Sequence, residues 1–201
     1  MVQIKIMRHS ERLDFTHPFC WLLYFGHYWA DSPLTINGHK IAKSKGKQMI
    51  SDKFDPKYIY TSPYTRTMAT AIEIKESFPY SEIIIEPLLS EYQPYFKHRI
   101  NLYPDGIPTL YEGKETGFSY PESYEDFSKR IQFIVSKLIE KHDQDFIIVT
   151  HGEVLKIYVN YIQSLFPDLI LDSGTTPYLT TLSLEYDKIN NKIIEKSVKI
   201  E

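Results

Sequence analysis

Residues 145–150 read Asp-Phe-Ile-Ile-Val-Thr, and His151-Gly152-Glu153 follow at once. Phe146 to Val149 is a short apolar run rich in β-branched residues, with no polar alternation. Such a run predicts a strand covered on both faces, as in a parallel sheet with helices above and below. The flanking sequence agrees. A helical spacing of Phe127, Ile131, Ile134, Val135 and Leu138 precedes it, over about 122–142, and a second helix is predicted at about 153–165. Further upstream, strands are predicted at 2–7, 57–61 and 82–86. Helices are predicted at about 38–53, after Asn37-Gly38, and at about 64–77, opened by Pro63. Downstream, 179–187 and 192–200 alternate around Asn190-Asn191 and predict a hairpin. Strands alternating with helices make this an α/β chain: a three-layer αβα sandwich, mostly parallel, with an antiparallel edge hairpin.

Two stretches lack any sustained period. Residues 13–33 hold Phe15, Phe19, Trp21, Tyr24, Phe25, Tyr28 and Trp29, and 92–121 holds seven more aromatics with Pro94, Pro104, Pro108 and Pro121. Both are expected to be cap segments within a single domain spanning 1–201. The chain has 201 residues, 42% hydrophobic and 24% charged, which excludes a disordered, collagenous or membrane-spanning chain. Net charge is -3, with no basic field for nucleic acid or an anionic membrane. The single cysteine, Cys20, forms no internal disulfide and anchors no thiolate zinc site. The N-terminus has no apolar run of a signal peptide. A cytoplasmic location is expected.

In open α/β sheets, ligands bind beyond the carboxyl ends of the strands. Four such ends carry Arg8-His9-Ser10-Glu11-Arg12, Ser62-Pro63-Tyr64-Thr65-Arg66, Ser90-Glu91 and His151-Gly152-Glu153. Only five of the 23 basic residues are arginines, and three of the five lie here. Arginine's planar fork, unlike lysine's point charge, binds phosphate in bidentate fashion. Histidine is a covalent nucleophile, and a carboxylic acid protonates a leaving oxygen. The inventory points to a phosphate ester. Each member alone has an ordinary alternative, a satisfied polar residue or a surface ion pair. Arg99 and Arg130 are expected to be ordinary charges, Arg130 on the solvent face of its helix and tolerant of lysine.

The four motifs together resemble the histidine phosphatase superfamily, the phosphoglycerate mutase-like fold. Arg8-His9-Ser10-Glu11-Arg12 resembles its opening signature, Ser62 to Ala71 its second motif, Ser90-Glu91 its acidic motif and Val149-Thr150-His151-Gly152 its closing motif. Arg8 to Asp14, Asp31 to Thr35 and Thr176-Pro177-Tyr178 resemble the branch of the suppressor of T-cell receptor signalling proteins and the ecdysteroid-phosphate phosphatases. The resemblance implies that His9 becomes a phosphohistidine and that Arg8, Arg12, Arg66 and His151 surround the phosphate. It implies that Glu91 is the acid, with His9, Glu91 and His151 catalytic, and that no metal or other cofactor is needed. Two departures stand out. Ser10 replaces the usual glycine, and its hydroxyl either costs rate or reaches the phosphate. The glycine usual after the acidic Glu is missing.

A phosphomonoesterase for aryl or bulky hydrophobic esters, phosphotyrosine included, follows if the aromatic segments line the mouth, with Trp21, Tyr24 and Tyr95 as candidates. The substrate is a phosphorylated small molecule or a phosphoprotein, and a homodimer is left open. Three alternatives stand beside this reading: a mutase or small-metabolite phosphatase, a metal enzyme built on His9, His17 and His27, and a phospho-ligand-binding scaffold. Glu11 and Glu153 are the next candidates for the acid.

Overall fold

A computed structural model describes residues 1–24, 31–95, 117–172 and 175–201, the Tyr24 side chain excepted. Phe25, His27, Tyr28, Trp29, Arg99 and most of the second cap segment lie outside the described residues. In chain order the elements are β1 (Val2–Arg8), α1 (Leu13–Thr16), α2 (Pro18–Tyr24), α3 (Ile36–Ser51), β2 (Tyr58–Thr61), α4 (Thr65–Lys75), β3 (Glu82–Ile85), a 3-10 turn (Pro87–Leu89), α5 (Tyr124–Lys141), β4 (Phe146–Thr150), α6 (Gly152–Leu165), β5 (Thr181–Asp187), β6 (Lys192–Ile193) and β7 (Lys199–Ile200).

The sheet runs β3-β2-β4-β1-β5-β6, with β7 also paired to β5. β1 to β4 are mutually parallel, and β5 closes antiparallel on β1. Along β4 the side chains alternate between two cores. Phe146 and Ile148 face α5 and α6; Ile147 and Val149 face α3 and α4. This is the three-layer α/β fold the apolar run predicts. The register places the working ends level: Arg8 pairs with Thr150, and Thr61 with Val149. Among the described residues no helix is long and apolar enough to cross a membrane.

Local chemistry explains the helix starts. Thr35 caps α3, accepting from the Gly38 amide at 2.8 Å, and Ser123 caps α5, accepting from Asp126 at 3.1 Å. α4 is capped from a distance. The Asp31 carboxylate accepts from the Thr65 amide at 2.6 Å and its hydroxyl at 2.8 Å.

Three expectations change. Pro63 stands before the helix, which starts at Thr65 with Tyr64 as N-cap. The described part of 13–33, which shows no sustained period in sequence, is mainly two short helices. The return arm of the hairpin is two short strands split by a 3-10 turn, Glu195–Ser197. There the Ser197 hydroxyl accepts from the Glu185 amide at 2.8 Å and donates to Ile194 O at 2.6 Å, replacing ladder bonds. Asn191, in the turn as expected, has φ +52°, a left-handed conformation asparagine tolerates.

Gly38 lies where the chain after β1 crosses the start of α3. A Cβ there would sit far inside contact distance of the Glu11 carbonyl, a backbone atom with no room to move cheaply. Gly38→Ala is therefore expected to lower stability by about 1–3 kcal/mol through overpacking, read as a reduced urea midpoint at unchanged slope.

Candidate active site

His9 follows β1 and is 1% exposed. Its amide donates to the Thr150 carbonyl at 2.8 Å, extending the β1–β4 ladder by one residue. Its Nδ1 lies 2.7 Å from the Ser10 carbonyl, which assigns the proton to Nδ1 and leaves the Nε2 lone pair bare. Nε2 has no hydrogen-bond partner among the described residues.

His151, at the level end of β4, packs against His9 with ring centroids 5.5 Å apart. Its Nε2 is 2.8 Å from the Ser62 hydroxyl after β2, and its Nδ1 accepts from Arg66 Nη2 at 3.1 Å. Arg66, in the first turn of α4, is fully buried and also donates to Glu91. Glu91, following the turn after β3, comes within 3.7 Å of His151 Nδ1. Arg8 donates to the Thr176 carbonyl and lies over the Tyr178 ring at 4.6 Å. Its buried Nε has no partner among the described residues. A Cβ at Gly152 would meet Thr176 Oγ1 at 2.8 Å and the Arg8 side chain at 3.5 Å, so the His151-Gly152 pair lets these approach. Arg12 forms a two-pronged pair with Asp14, Nε to Oδ1 at 2.7 Å and Nη2 to Oδ2.

The structure therefore brings Arg8, His9, Arg66, Glu91 and His151 together, with Arg12 close enough to act on both imidazoles electrostatically. The alternative acids point elsewhere: Glu11 accepts from Thr35 and Asn37, and Glu153 pairs with Lys156. The Ser10 hydroxyl donates to the Gly38 carbonyl at 2.7 Å, and its amide donates to Thr70 Oγ1 at 3.0 Å. Its hydroxyl thus ties the loop to α3, and Ser10 is not among the residues with positive φ. Among the described residues no group of three or more His, Cys, Asp or Glu side chains is placed to share a metal ion.

Sequence reasoning assigns no role to Tyr64 and Tyr178. Tyr64 packs on His151, centroids 4.9 Å apart, and under Arg66 at 4.4 Å; Tyr178 lies 5.9 Å from the His9 ring. Both stand inside quoted motifs, which is the signal that could have found them. Of the expected mouth residues, Trp21 is buried, Tyr95 is exposed and the Tyr24 side chain is outside the described residues. In the second segment, Tyr92 stacks on Phe127, Phe118 packs on Phe133, and Arg130 lies over Tyr120. Tyr92 and Phe118 are partly buried against the core, and Tyr120 is half-buried. Arg130 itself is no surface charge: it is 0% exposed and ion-paired with Glu122. Position 130 lies on the same helical stripe as Phe127 and Ile134, so the spacing already placed it inward.

Burial, then Arg66 and more weakly Arg8 and Arg12, hold the His9 imidazole well below its ordinary pKa, against the opposing bond to Ser10. Burial, Arg66 and His9 do the same to His151. A lowered pKa means that the neutral form persists as pH falls through 6.5. The ring resonances of His9 and His151 are accordingly expected to stay flat from pH 7.5 to 5.5 in an NMR titration, and stability is expected to fall on acidification below about 6.5 as these rings resist charging. A midpoint near 6.5 for either ring contradicts this electrostatic picture.

Comparison with known proteins agrees with the motifs. A model of the histidine phosphatase superfamily (branch 1) matches residues 25–196. An uncharacterized phosphoglycerate mutase family protein of Acanthamoeba polyphaga mimivirus is 65% identical over 201 residues, covering 100% of this chain and 98% of that protein. The ecdysteroid-phosphate phosphatase of Drosophila melanogaster is 26% identical over 201 residues, covering 76% of this chain and only 26% of that protein. The ecdysone phosphate phosphatase of Bombix mori, in complex with tungstate, superposes with TM-score 0.71 at 20% identity, covering 96% of this chain and 92% of that one, a likeness of fold. With its fold, its four strand-end motifs and these matches in agreement, the chain belongs to branch 1 of the histidine phosphatase superfamily.

Proposed function

We propose that this protein is a metal-independent phosphomonoesterase working through a phosphohistidine on His9. One observation carries the reading: a buried, neutral His9 with its Nδ1–H committed to Ser10 and its Nε2 unbonded, set among Arg8, Arg66 and His151. The phosphoryl oxygens are received by Arg8, Arg12, Arg66 and His151. The orphaned Arg8 Nε is a donor ready for one of them. His9 Nε2 attacks phosphorus, and the ester P–O bond breaks. Glu91 gives its proton to the departing oxygen. A phosphate dianion that takes Arg66's fork releases Glu91 from that ion pair. Water, deprotonated by the Glu91 carboxylate, then attacks the phosphohistidine and releases inorganic phosphate. The arginines supply the positive charge that a metal provides elsewhere.

The whole chain, 1–201, is read as one domain whose segments 13–33 and 92–121 begin at the site and form its rim. The leaving group meets aromatic faces: Tyr178 beside His9, and the exposed Phe15 ring with Arg12 above it at 4.3 Å. Asp14 occupies Arg12's fork and adds negative charge on that side. Aryl or bulky hydrophobic esters suit this rim better than small, highly charged ones. The names of the Drosophila and Bombix relatives, which specify steroid phosphates, support the same class. Whether the ester is a small molecule or a phosphotyrosine protein depends on the rim.

The purified protein is expected to hydrolyse 4-nitrophenyl phosphate in the presence of a chelator. His9→Ala abolishes turnover, and Glu91→Gln, which loses both the acid and the base, slows every ester but lowers kcat/KM for poor leaving groups by about 10²–10⁴-fold, far more than for good ones. Activity lost to the chelator and restored by zinc or magnesium contradicts the mechanism. Tyr178→Ala is expected to narrow the aryl-over-alkyl preference in kcat/KM by roughly 2- to 10-fold, the worth of one ring contact. A preference for 3-phosphoglycerate over aryl esters favours a mutase instead.

A further inference from the structure

We infer that the buried Arg130–Glu122 pair is a positioning device for Glu91, an inference that rests on the acid role proposed above. Arg130 Nε and Nη2 donate to the two Glu122 oxygens at 2.9 and 2.6 Å. Its Nη1 donates to the Leu88 carbonyl and, at 3.1 Å, to the Ser90 carbonyl. Glu122 extends the grip past Glu91: its carboxylate accepts from the Gln93 amide at 3.3 Å, and its own amide donates to the Gln93 carbonyl at 3.1 Å. The backbone is thus held one residue before Glu91 and two residues after it. The Thr150 hydroxyl adds a third hold, donating to Leu89 O at 2.9 Å next to His151.

Stability alone accounts poorly for this arrangement. An ion pair with side chains 0% and 2% exposed pays a desolvation penalty that apolar residues of the same volume avoid. The pair is aimed at a particular target, the Leu88 and Ser90 carbonyls just before Glu91, a stretch that pairs with no strand among the described residues. Only the guanidinium fork reaches a carboxylate and two carbonyls at once, which explains an arginine in a chain that otherwise favours lysine. Glu91 is only partly buried, 28% exposed, and must be held to a narrow position between Arg66 and His151 for proton transfer. Through Glu122 the same pair also ties Gln93 to the start of α5. Arg130 touches no reacting atom and acts through Glu91.

The test compares 4-nitrophenyl phosphate, a good leaving group, with benzyl phosphate, a poor one. Arg130→Lys is expected to reduce kcat/KM for benzyl phosphate about 10- to 100-fold more than kcat/KM for 4-nitrophenyl phosphate, with vanadate inhibition unchanged. Adding Arg130→Lys to Glu91→Gln should leave the ratio of the two kcat/KM values where Glu91→Gln alone puts it. Equal losses on both esters, as from a smaller folded fraction, or no loss, overturn the inference. If Arg130→Lys does not fold, Glu122→Gln is read by the same ratio and the same criteria. Amide hydrogen exchange gives a readout independent of turnover. The amides of 89–93 should exchange faster in the variant than in wild type while those of β4 do not, and unchanged exchange there overturns the inference. A wild-type protein inactive on both esters sinks the proposed function and leaves the exchange result to decide the positioning role.

Discussion

The parallel ladder between β1 and β4 runs in register to its last residues, with Arg8 opposite Thr150 and the His9 amide closing on Thr150. This constraint sets the site. It fixes two imidazoles side by side at one sheet edge, because the residue after each strand leaves at the same height. A slip of one residue would turn every side chain of β1 to the opposite face and carry Ile4 and Ile6 out of the α5–α6 core. The cores on the two faces therefore hold the register, and the register holds the histidines. β2, ending level with β4, brings Ser62 to His151 and starts α4 with Arg66 aimed inward.

Concentrating positive charge in a buried place is costly, and the fold meets that cost locally. Arg66 has Glu91, Arg12 has Asp14, and Arg8 has a carbonyl and the Tyr178 face. Burial, with the same field adding to it, holds both imidazoles well below their ordinary pKa. Desolvation, arginine geometry and the histidine tautomer are consequences of one placement rather than separate devices.

Backbone close to the site is held by side chains from elsewhere in the chain. Ser10 ties the first loop to α3, Asp31 caps α4 across the site, and Arg130 with Glu122 holds the segment carrying Glu91. Loops at a sheet edge have no ladder to order them, so buried polar side chains take over that task.

The fold class, the strand order of motifs and the phosphate chemistry were legible in the residues, because apolar periodicity and strand-end motifs are local signals. Arg8, His9, Arg66, Glu91 and His151 stood together in the structure as their positions after strands implied. Tertiary structure alone decided where long side chains end. The Ser10 hydroxyl turns to Gly38, 28 residues away, and Arg130 reaches Leu88 and Ser90 some 40 residues upstream. Aromatics divide the same way: Tyr92, Phe118 and Tyr120 of the second segment pack against α5, while Tyr178, from a distant turn, stands at His9. A hydrogen bond or ring contact between residues far apart leaves no period in the sequence. Its partners are chosen by the sheet register and the packing of helices across it, which exist only once the chain has folded.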